Sequence, residues 1–302
     1  MSETGGWTDI PTNQPMRLSN QNCAYCGQEF DASLHKTKEH VVARRFVPKG
    51  SMDGAWNLIA NACEPCNRAK ADLEDDISAI TMLPDQYGRY AVEDPRLKET
   101  AERKAAKSGS RKTGKAVAKS GETSTVEASS GSLKMSFGFS ANPQIDQKRI
   151  FSLANFHWRA FFYMITYSKE TQRGGCVPGQ FMPVGNANRM DWGNDQMRWF
   201  MGATDEWDPR LKLVTADGYF KKSIRRDPSG LEVWAWALEW NQNQRVIGFA
   251  GKRECLDVMA EDLPMLRTTT IAQSPGRFVR YRKEIPLEPE DDTLFRLSGE
   301  GS

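Results

Sequence analysis

The sequence contains no long apolar run, and its first 22 residues are polar with only scattered apolar side chains. A membrane-spanning helix needs about 20 consecutive apolar residues, and a secretory signal needs a continuous apolar centre, so neither is predicted. We therefore expect a soluble, cytoplasmic protein without a membrane segment. In that compartment cysteine thiols stay reduced, which argues against structural disulfides.

The sequence also has little net charge, +2 over 302 residues, and only three histidines. A balance so close to neutral is no argument for nucleic-acid binding, so the distribution of charge along the chain carries more information than its sum. Hydrophobic residues make up 39% of the chain, enough to bury substantial cores. The length suits two domains.

Cysteine is scarce, but four of the six cysteines form two Cys-x-x-Cys pairs, Cys23 with Cys26 and Cys63 with Cys66. Two thiolates three positions apart fit adjacent corners of a tetrahedron, with the backbone turning tightly between them. Because the thiols are expected to be reduced, this spacing favours a metal over disulfides. We predict one structural Zn²⁺ held by these four cysteines.

The sequence around the cysteine pairs predicts two strands followed by a helix. Apolar residues favour a strand over 37–45 and a second over 56–60, with an exposed loop at 48–50. After Cys66 the apolar residues recur at helical spacing, at Ala69, Leu73, Ile77 and Ile80. The expected order is strand, loop, strand, helix.

Polar residues stand at fixed places within this segment. Glu39 and His40 are adjacent, Asn57 follows in the gap between the cysteine pairs, and Asn67 comes directly after the last cysteine. In this order and in register with the cysteines, they resemble the HNH nuclease family, specifically its zinc-bearing members. The resemblance covers about the first quarter of the chain and implies a ββα-metal nuclease domain over 23–97. It implies an endonuclease that hydrolyses DNA phosphodiester bonds.

The resemblance also implies roles for individual residues. His40 matches the first histidine of the motif and is the expected general base, since neutral imidazole accepts a proton from water. Glu39 and Asn67 are the implied ligands of a catalytic Mg²⁺ or Mn²⁺, ions that suit oxygen ligands. Asn57 is expected to fix the loop or to orient His40. The last motif position is asparagine rather than histidine, which makes a weaker, neutral ligand.

Three basic residues near the motif, Arg44, Lys49 and Lys70, are predicted to contact phosphates. Asn67 and Lys70 lie three positions apart on the expected helix, so both are predicted to face outward beside the apolar stripe. Duplex DNA is the expected partner, and a single site would nick it, leaving a 5′-phosphate and a 3′-hydroxyl by the resemblance. The alternatives are RNA as the substrate, or a non-catalytic zinc-stabilised protein that binds nucleic acid. A role in antiviral defence against phage rests on analogy alone.

The rest of the chain completes a predicted α+β fold. Residues 1–22 are expected to form a flexible arm. Residues 98–143 are expected to be a basic, disordered linker, because they contain few large apolar residues. A second α+β domain over 144–283, with an antiparallel meander at 211–250, is expected to serve in targeting, in sensing or in binding a protein partner or second subunit. Residues 284–302 are predicted to be a loose acidic tail.

Overall fold

The structure is a computed structural model and describes residues 13–130, 133–175, 179–274 and 277–296. Within these ranges the chain forms a three-stranded sheet, a five-stranded sheet, two hairpins and five α-helices. This mixed architecture confirms the predicted α+β class. In the same ranges, no helix combines the length and the apolar character needed to cross a bilayer.

The three-stranded sheet contains β1 (Met16–Arg17), β2 (Lys36–His40) and β3 (Leu58–Cys63). β2 pairs antiparallel with one side of β3, and β1 pairs parallel with the other side, so β2 is an edge strand. Helix α1 (Glu64–Thr81) begins directly after β3. Pro65 stands in its first turn, where a residue without an N–H loses no hydrogen bond. The predicted order of two strands and a helix is therefore present.

Part of the predicted flexible arm is ordered instead. β1 pairs with β3, and the buried side-chain amide of Asn20 donates to the carbonyls of Asn22 and Asn61. These bonds attach residues 16–22 to the sheet, so the prediction was wrong for them. Residues 1–12 lie outside the part of the chain that the structure describes.

The predicted linker over 98–143 is also wrong. It holds most of helix α2 (Pro95–Lys107) and a hairpin of β4 (Glu122–Ser130) with β5 (Leu133–Ala141). The side chain of Asp94 caps α2, and one leucine and two alanines at four-residue spacing are buried along it: Leu97, Ala101 and Ala105. The sequence prediction considered only large apolar residues, whereas alanines are sufficient here because α2 packs on α1. Residues 131–132 are not described.

The C-terminal half is built on helix α3 (Gln147–Ile165) and the five-stranded sheet. The sheet has the order β6-β10-β9-β8-β7 and contains β6 (Gln180–Asn188), β7 (Asp208–Thr215), β8 (Phe220–Arg226), β9 (Trp234–Trp240) and β10 (Gln244–Gly251). Strands β7 to β10 confirm the predicted meander. β6 contains Pro183, which is tolerated there because β6 is an edge strand.

The remaining elements are helix α4 (Asp195–Thr204), helix α5 (Arg253–Glu261) and a hairpin of β11 (Thr269–Ser274) with β12 (Arg277–Tyr281). Residues 284–296, predicted to be loose, pack against the five-stranded sheet. Leu294 and Phe295 are buried in a hydrophobic cluster with Ile247 and Phe249 of β10. Arg245 on the same strand binds Asp292 at 2.5 Å. The predicted loose tail is therefore wrong over this range, and residues 297–302 are not described.

One hydrophobic core joins the two predicted domains. It includes Leu58 on β3 and Ile77 on α1 together with Trp158 on α3 and Trp240 on β9. The Thr215 hydroxyl, at the end of β7, donates to the backbone carbonyl of Trp56, in the N-terminal part of the chain, at 2.6 Å. The boundary predicted at residue 144 therefore does not separate two independent cores.

Candidate metal centre and nucleic-acid site

The four predicted zinc ligands converge. The Sγ atoms of Cys23, Cys26, Cys63 and Cys66 all lie within 4.8 Å of one another, and the Cys26 and Cys63 sulfurs are 3.8 Å apart. Four thiolates at about 2.3 Å from a tetrahedral Zn²⁺ would be separated by about 3.8 Å, so the spacing fits this ion. The structure thus supports a metal site of the predicted composition.

Local backbone structure positions these sulfurs. Gly27 follows the first pair with φ of 75°, and its N–H donates to the Cys23 carbonyl at 2.9 Å, which closes the turn. Glycine suits this position because a side chain disfavours positive φ. The Cys23 sulfur accepts the backbone N–H groups of Tyr25 and Cys63. The second pair spans the junction between β3 and α1, so metal binding would fix the helix to the sheet.

Hydrogen bonding among the sulfurs prepares the site for a cation. A hydrogen bond from Cys66 lowers the pKa of Cys23 to about 4, against the opposing effect of burial. The same bond raises the pKa of Cys66, and burial raises the pKa of Cys26 to about 11. Without metal, Cys23 therefore favours the thiolate, whereas Cys26 and Cys66 favour the protonated thiol. Zinc binds thiolates, so loading the site would release the remaining protons.

Glu39 and His40 point to opposite faces of β2, as alternation along a strand requires. Thr37 and Glu39 face α1: Asn67 donates to the Thr37 hydroxyl at 3.0 Å, and Glu39 lies 2.8 Å from the ammonium of Lys70. Lys36, Lys38 and His40 therefore share the outer face. The structure brings Glu39 and Asn67 to the same side of the strand, and places His40 on the other.

Glu39 belongs to a buried ionic cluster. It is 5% exposed, and its Oε1 atom both accepts from the Tyr25 hydroxyl at 3.0 Å and pairs with Lys70. Lys70 also binds Glu74 at 2.5 Å. Burial acts to lower the pKa of Lys70, but the carboxylates of Glu74 and Glu39 outweigh it and raise that pKa above its ordinary value. The lysine is therefore charged and serves as the counter-ion of two acids.

The phosphate contact predicted for Lys70 is wrong. Its side chain is 1% exposed and faces the interior, so its ammonium does not reach a nucleic acid at the surface. The physical reason is its position on α1. Lys70 is four residues after Cys66 and three before Leu73, which places it on the inward stripe of the helix.

Asn67 is partly buried at the first turns of α1. Its Nδ2 donates to Thr37, and in the described part of the chain no protein group occupies its Oδ1. The same holds for Oε2 of Glu39, since both contacts of that carboxylate use Oε1. Each predicted cation ligand thus retains one oxygen acceptor, although the carboxylate already has a positive partner.

Asn57 fixes the segment that follows His40. Its buried side chain accepts the N–H of Val42 at 3.1 Å and donates to the carbonyl of the same residue at 2.8 Å. Both backbone groups of Val42 are thereby satisfied, two residues beyond the end of β2. This is the loop-fixing role expected for Asn57 rather than a metal-binding one.

His40 is half-buried on the outer face of the sheet. Burial lowers the pKa of its imidazole below 6.5, Lys38, Arg44 and Arg17 lower it further, and Glu39 opposes them. The ring is therefore neutral near pH 7 and available to accept a proton. Arg44, one of the predicted phosphate contacts, is exposed near this histidine. Lys49 is exposed in the loop that follows, where its N–H donates to Thr100 on α2.

Sequence reasoning missed the partners of the buried cluster. Tyr25 lies inside the first Cys-x-x-Cys pair, and Glu74 is four residues after Lys70, the spacing of an ion pair on a helix. That spacing was a usable signal. It also missed Arg17, which the pairing of β1 places in the same row as His40, with Ile59 between them. This placement depends on the parallel pairing of Arg17 with Ile59, 42 residues apart in the sequence, which no local pattern reveals.

Comparisons with protein-family models, with curated proteins and with solved structures found no match to this chain.

Proposed function

We propose that the protein is a metal-dependent endonuclease that hydrolyses phosphodiester bonds in DNA, with His40 as the general base. The observation that carries the proposal is the pair of hydrogen bonds between Asn57 and Val42. They fix the backbone two residues after His40, which is the last residue of an edge strand. A base within reach of its proton is the first requirement of general base catalysis.

The state of His40 supports this role. Hydrolysis requires an attacking water to lose a proton, and a neutral imidazole takes it without first being deprotonated. The lowered pKa of His40 keeps it in this form near neutral pH. Arg17, Lys38 and Arg44 surround it with positive charge, which favours a phosphate nearby.

Glu39 and Asn67 would hold the divalent cation. Oε2 of Glu39 and Oδ1 of Asn67 are oxygen acceptors on the same side of β2, the ligand type that Mg²⁺ and Mn²⁺ prefer. When bound, such an ion would supply positive charge to the transferring phosphate. Because these ligands and His40 lie on opposite faces of β2, the proposal requires that phosphate to lie at the end of the strand, where the ion on one side and the imidazole on the other can both reach it. Lys70 holds the other oxygen of Glu39 and thereby orients the carboxylate.

The test is incubation of supercoiled plasmid with the zinc-loaded, full-length protein and Mg²⁺ or Mn²⁺, followed by electrophoresis of nicked and linear forms. The wild type should nick, and His40→Ala should lower the rate by at least about 100-fold, the usual contribution of a general base. His35→Ala is the matched control, because His35 is an exposed histidine five residues upstream on the same segment. It should keep the wild-type rate.

Absence of nicking by the zinc-loaded wild type with either cation would refute the proposal. So would equal rates for the wild type and His40→Ala. Matched single-stranded DNA, duplex DNA and RNA of the same sequence should be run in parallel. Preferential hydrolysis of the RNA would retain the nuclease chemistry but change the substrate.

A second candidate function, a non-catalytic protein that binds nucleic acid, is favoured by the position of Lys70. Its ammonium lies 2.8 Å from Glu39 and 2.5 Å from Glu74, so the predicted cation ligand already has a buried positive partner. In this case zinc folds the module and no second metal is needed. Binding to DNA without nicking, unchanged in affinity by Mg²⁺, Mn²⁺ or Glu39→Gln, would favour this candidate.

A further inference from the structure

The outer face of β2 carries an uninterrupted row of basic residues. Lys36, Lys38 and His40 occupy alternate positions, and the two lysines are exposed. At about 3.3 Å per residue the row is roughly 13 Å long, equal to about four base pairs measured along the axis of a duplex. The row lies at the edge of the sheet, where no further strand covers it in the described part of the chain.

Two arginines extend this row into a surface. Arg17 on β1 and His40 on β2 are both paired with Ile59 on β3, so they lie on one line across the three strands. Arg17 is exposed, as is Arg44, which follows β2 and lies close enough to His40 to act on its charge. We call Arg17, Lys36, Lys38 and Arg44 the outer basic face.

The four cations of the outer basic face lack an acidic partner in the part of the chain that the structure describes. Within the described ranges none of them has a carboxylate within 4.0 Å. On the helix side of the same module, by contrast, Arg111 binds Asp72 at 2.8 Å and Arg149 binds Asp76 at 2.9 Å. The positive charge available to an external anion is therefore concentrated on the sheet rather than on α1.

We propose that a nucleic-acid backbone lies along the outer face of β2, with its phosphates on Lys36 and Lys38 and with Arg17 and Arg44 beside His40. This inference rests on the proposed function for the class of partner, and it assigns residues that the nuclease resemblance does not. In this arrangement the outer face of the sheet contacts the nucleic acid, and the outward side of α1 does not. The acidic residues of α1 would then lie away from the phosphates.

A structural role would also explain two lysines on this strand. Charged residues on an exposed edge prevent the sheet from pairing with another chain. That role predicts association of the protein when the lysines are replaced, and no change in how binding depends on salt. A phosphate contact predicts the reverse, because each neutralised phosphate releases counter-ions into solution.

The experiment measures binding of a fluorescent 30-base-pair duplex by anisotropy, over a series of NaCl concentrations, with zinc-loaded full-length protein and no added Mg²⁺ or Mn²⁺. For Lys36→Gln/Lys38→Gln the slope of log Kd against log salt should fall by about 1.8, or about 0.9 for each lost contact. Lys98→Gln/Lys107→Gln is the control, with the same charge change at exposed positions on α2. Its slope should match that of the wild type.

An unchanged slope in the β2 variant, or an equal loss in the α2 control, would overturn the inference. Association of the β2 variant in light scattering, with an unchanged slope, would do so too, since it identifies edge protection as the role. Circular dichroism confirms that each variant is folded. A reduced slope without plasmid nicking by the wild type would refute the nuclease but keep this surface, whereas nicking with an unchanged slope would do the opposite. Single-stranded DNA and RNA probes then show which nucleic acid the surface prefers.

Discussion

The two faces of β2 carry opposite electrostatic arrangements only one residue apart. On the helix side, Glu39 is buried and neutralised by Lys70, which also neutralises Glu74. On the outer side, Lys36 and Lys38 are exposed and have no acidic partner in the described ranges. One face therefore uses charge to hold the module together, and the other leaves its charge available for a ligand.

The difference shows how a short strand serves structure and binding at once. Buried ions are tolerated only when each has its counter-charge, so the inner face is sensitive to any change. Exposed cations contribute little to stability, so the outer face is free to change without unfolding the protein. Variants on the inner side should thus affect folding, and variants on the outer side should affect binding alone.

Loss of the metal should have the largest effect, because both faces of β2 depend on the folded sheet and on α1. Structural zinc contributes on the order of 10 kcal/mol to the folding of small modules, so Cys63→Ser should unfold the sheet and α1. Since these elements share a core with α3 and β9, the loss should spread through the protein as one cooperative transition. The measurement is thermal unfolding by calorimetry, with and without a zinc chelator.

Cys255→Ser is the matched control, since Cys255 on α5 is not part of the sulfur cluster. Its unfolding temperature should equal that of the wild type. Two separate transitions in the wild type, with only the first one sensitive to chelator, would show instead that the zinc module folds independently. A Cys63→Ser protein as stable as the wild type would show that no metal supports the fold.

The inner face alone is tested by Lys70→Met. The substitution leaves Glu39 and Glu74 buried without a counter-charge, and removal of one member of a buried ionic cluster costs about 3–5 kcal/mol. Urea unfolding near pH 7 measures this loss in the free energy of unfolding. Lys98→Met, at an exposed position on α2, should change it by less than about 0.5 kcal/mol.

A triple variant sharpens this test. Glu39→Gln/Lys70→Met/Glu74→Met removes all three charges and keeps an acceptor for the Tyr25 hydroxyl at position 39. Replacement of buried ions by apolar residues of similar volume is often close to neutral for stability. Most of the stability lost in Lys70→Met should therefore return. If Lys70→Met proves as stable as the wild type, Lys70 is not the counter-ion of these acids, and the assignment of the inner face fails.

The cysteine cluster and the strand, strand, helix order could be predicted because both depend on local spacing. Cys-x-x-Cys pairs constrain a metal site within a few residues, and the helical period of Leu73, Ile77 and Ile80 needs no knowledge of distant contacts. The inward position of Lys70 was equally accessible from its spacing to Cys66 and Leu73. It was missed because a lysine was assumed to face solvent, which fails when two acids lie nearby in the interior.

Other features could not be predicted from local pattern. Helix α2 is held by Leu97 and alanines against α1, and a composition rich in lysine and alanine conceals such a narrow apolar stripe. The row of Arg17, Ile59 and His40 depends on which strand pairs with which, and a two-residue strand such as β1 gives no periodic signal. Helix packing determines the first feature and long-range strand pairing the second.

The stability of the protein interior should also depend on pH, through His157, and this is the smallest of the predicted effects. His157 on α3 is fully buried among Phe46, Phe220 and Trp240. Burial lowers its pKa well below 6.5, and the positive charge of Lys70 acts in the same direction. Because the folded pKa is depressed, the unfolded chain takes up a proton near pH 6.5 that the folded protein refuses. Stability contributed by neutral His157 is therefore fully present above pH 6.5 and declines as the pH falls below it.

Between pH 7.5 and pH 5.5 this one group should reduce the free energy of unfolding by about 1.4 kcal/mol, which corresponds to one pKa unit. The measurement is urea unfolding at both pH values for the wild type and His157→Phe, an aromatic replacement that cannot take up a proton. The variant should lose about 1.4 kcal/mol less than the wild type over this interval. Equal losses in both proteins would contradict the prediction, because they would mean that burial does not lower the pKa of His157 in the folded protein.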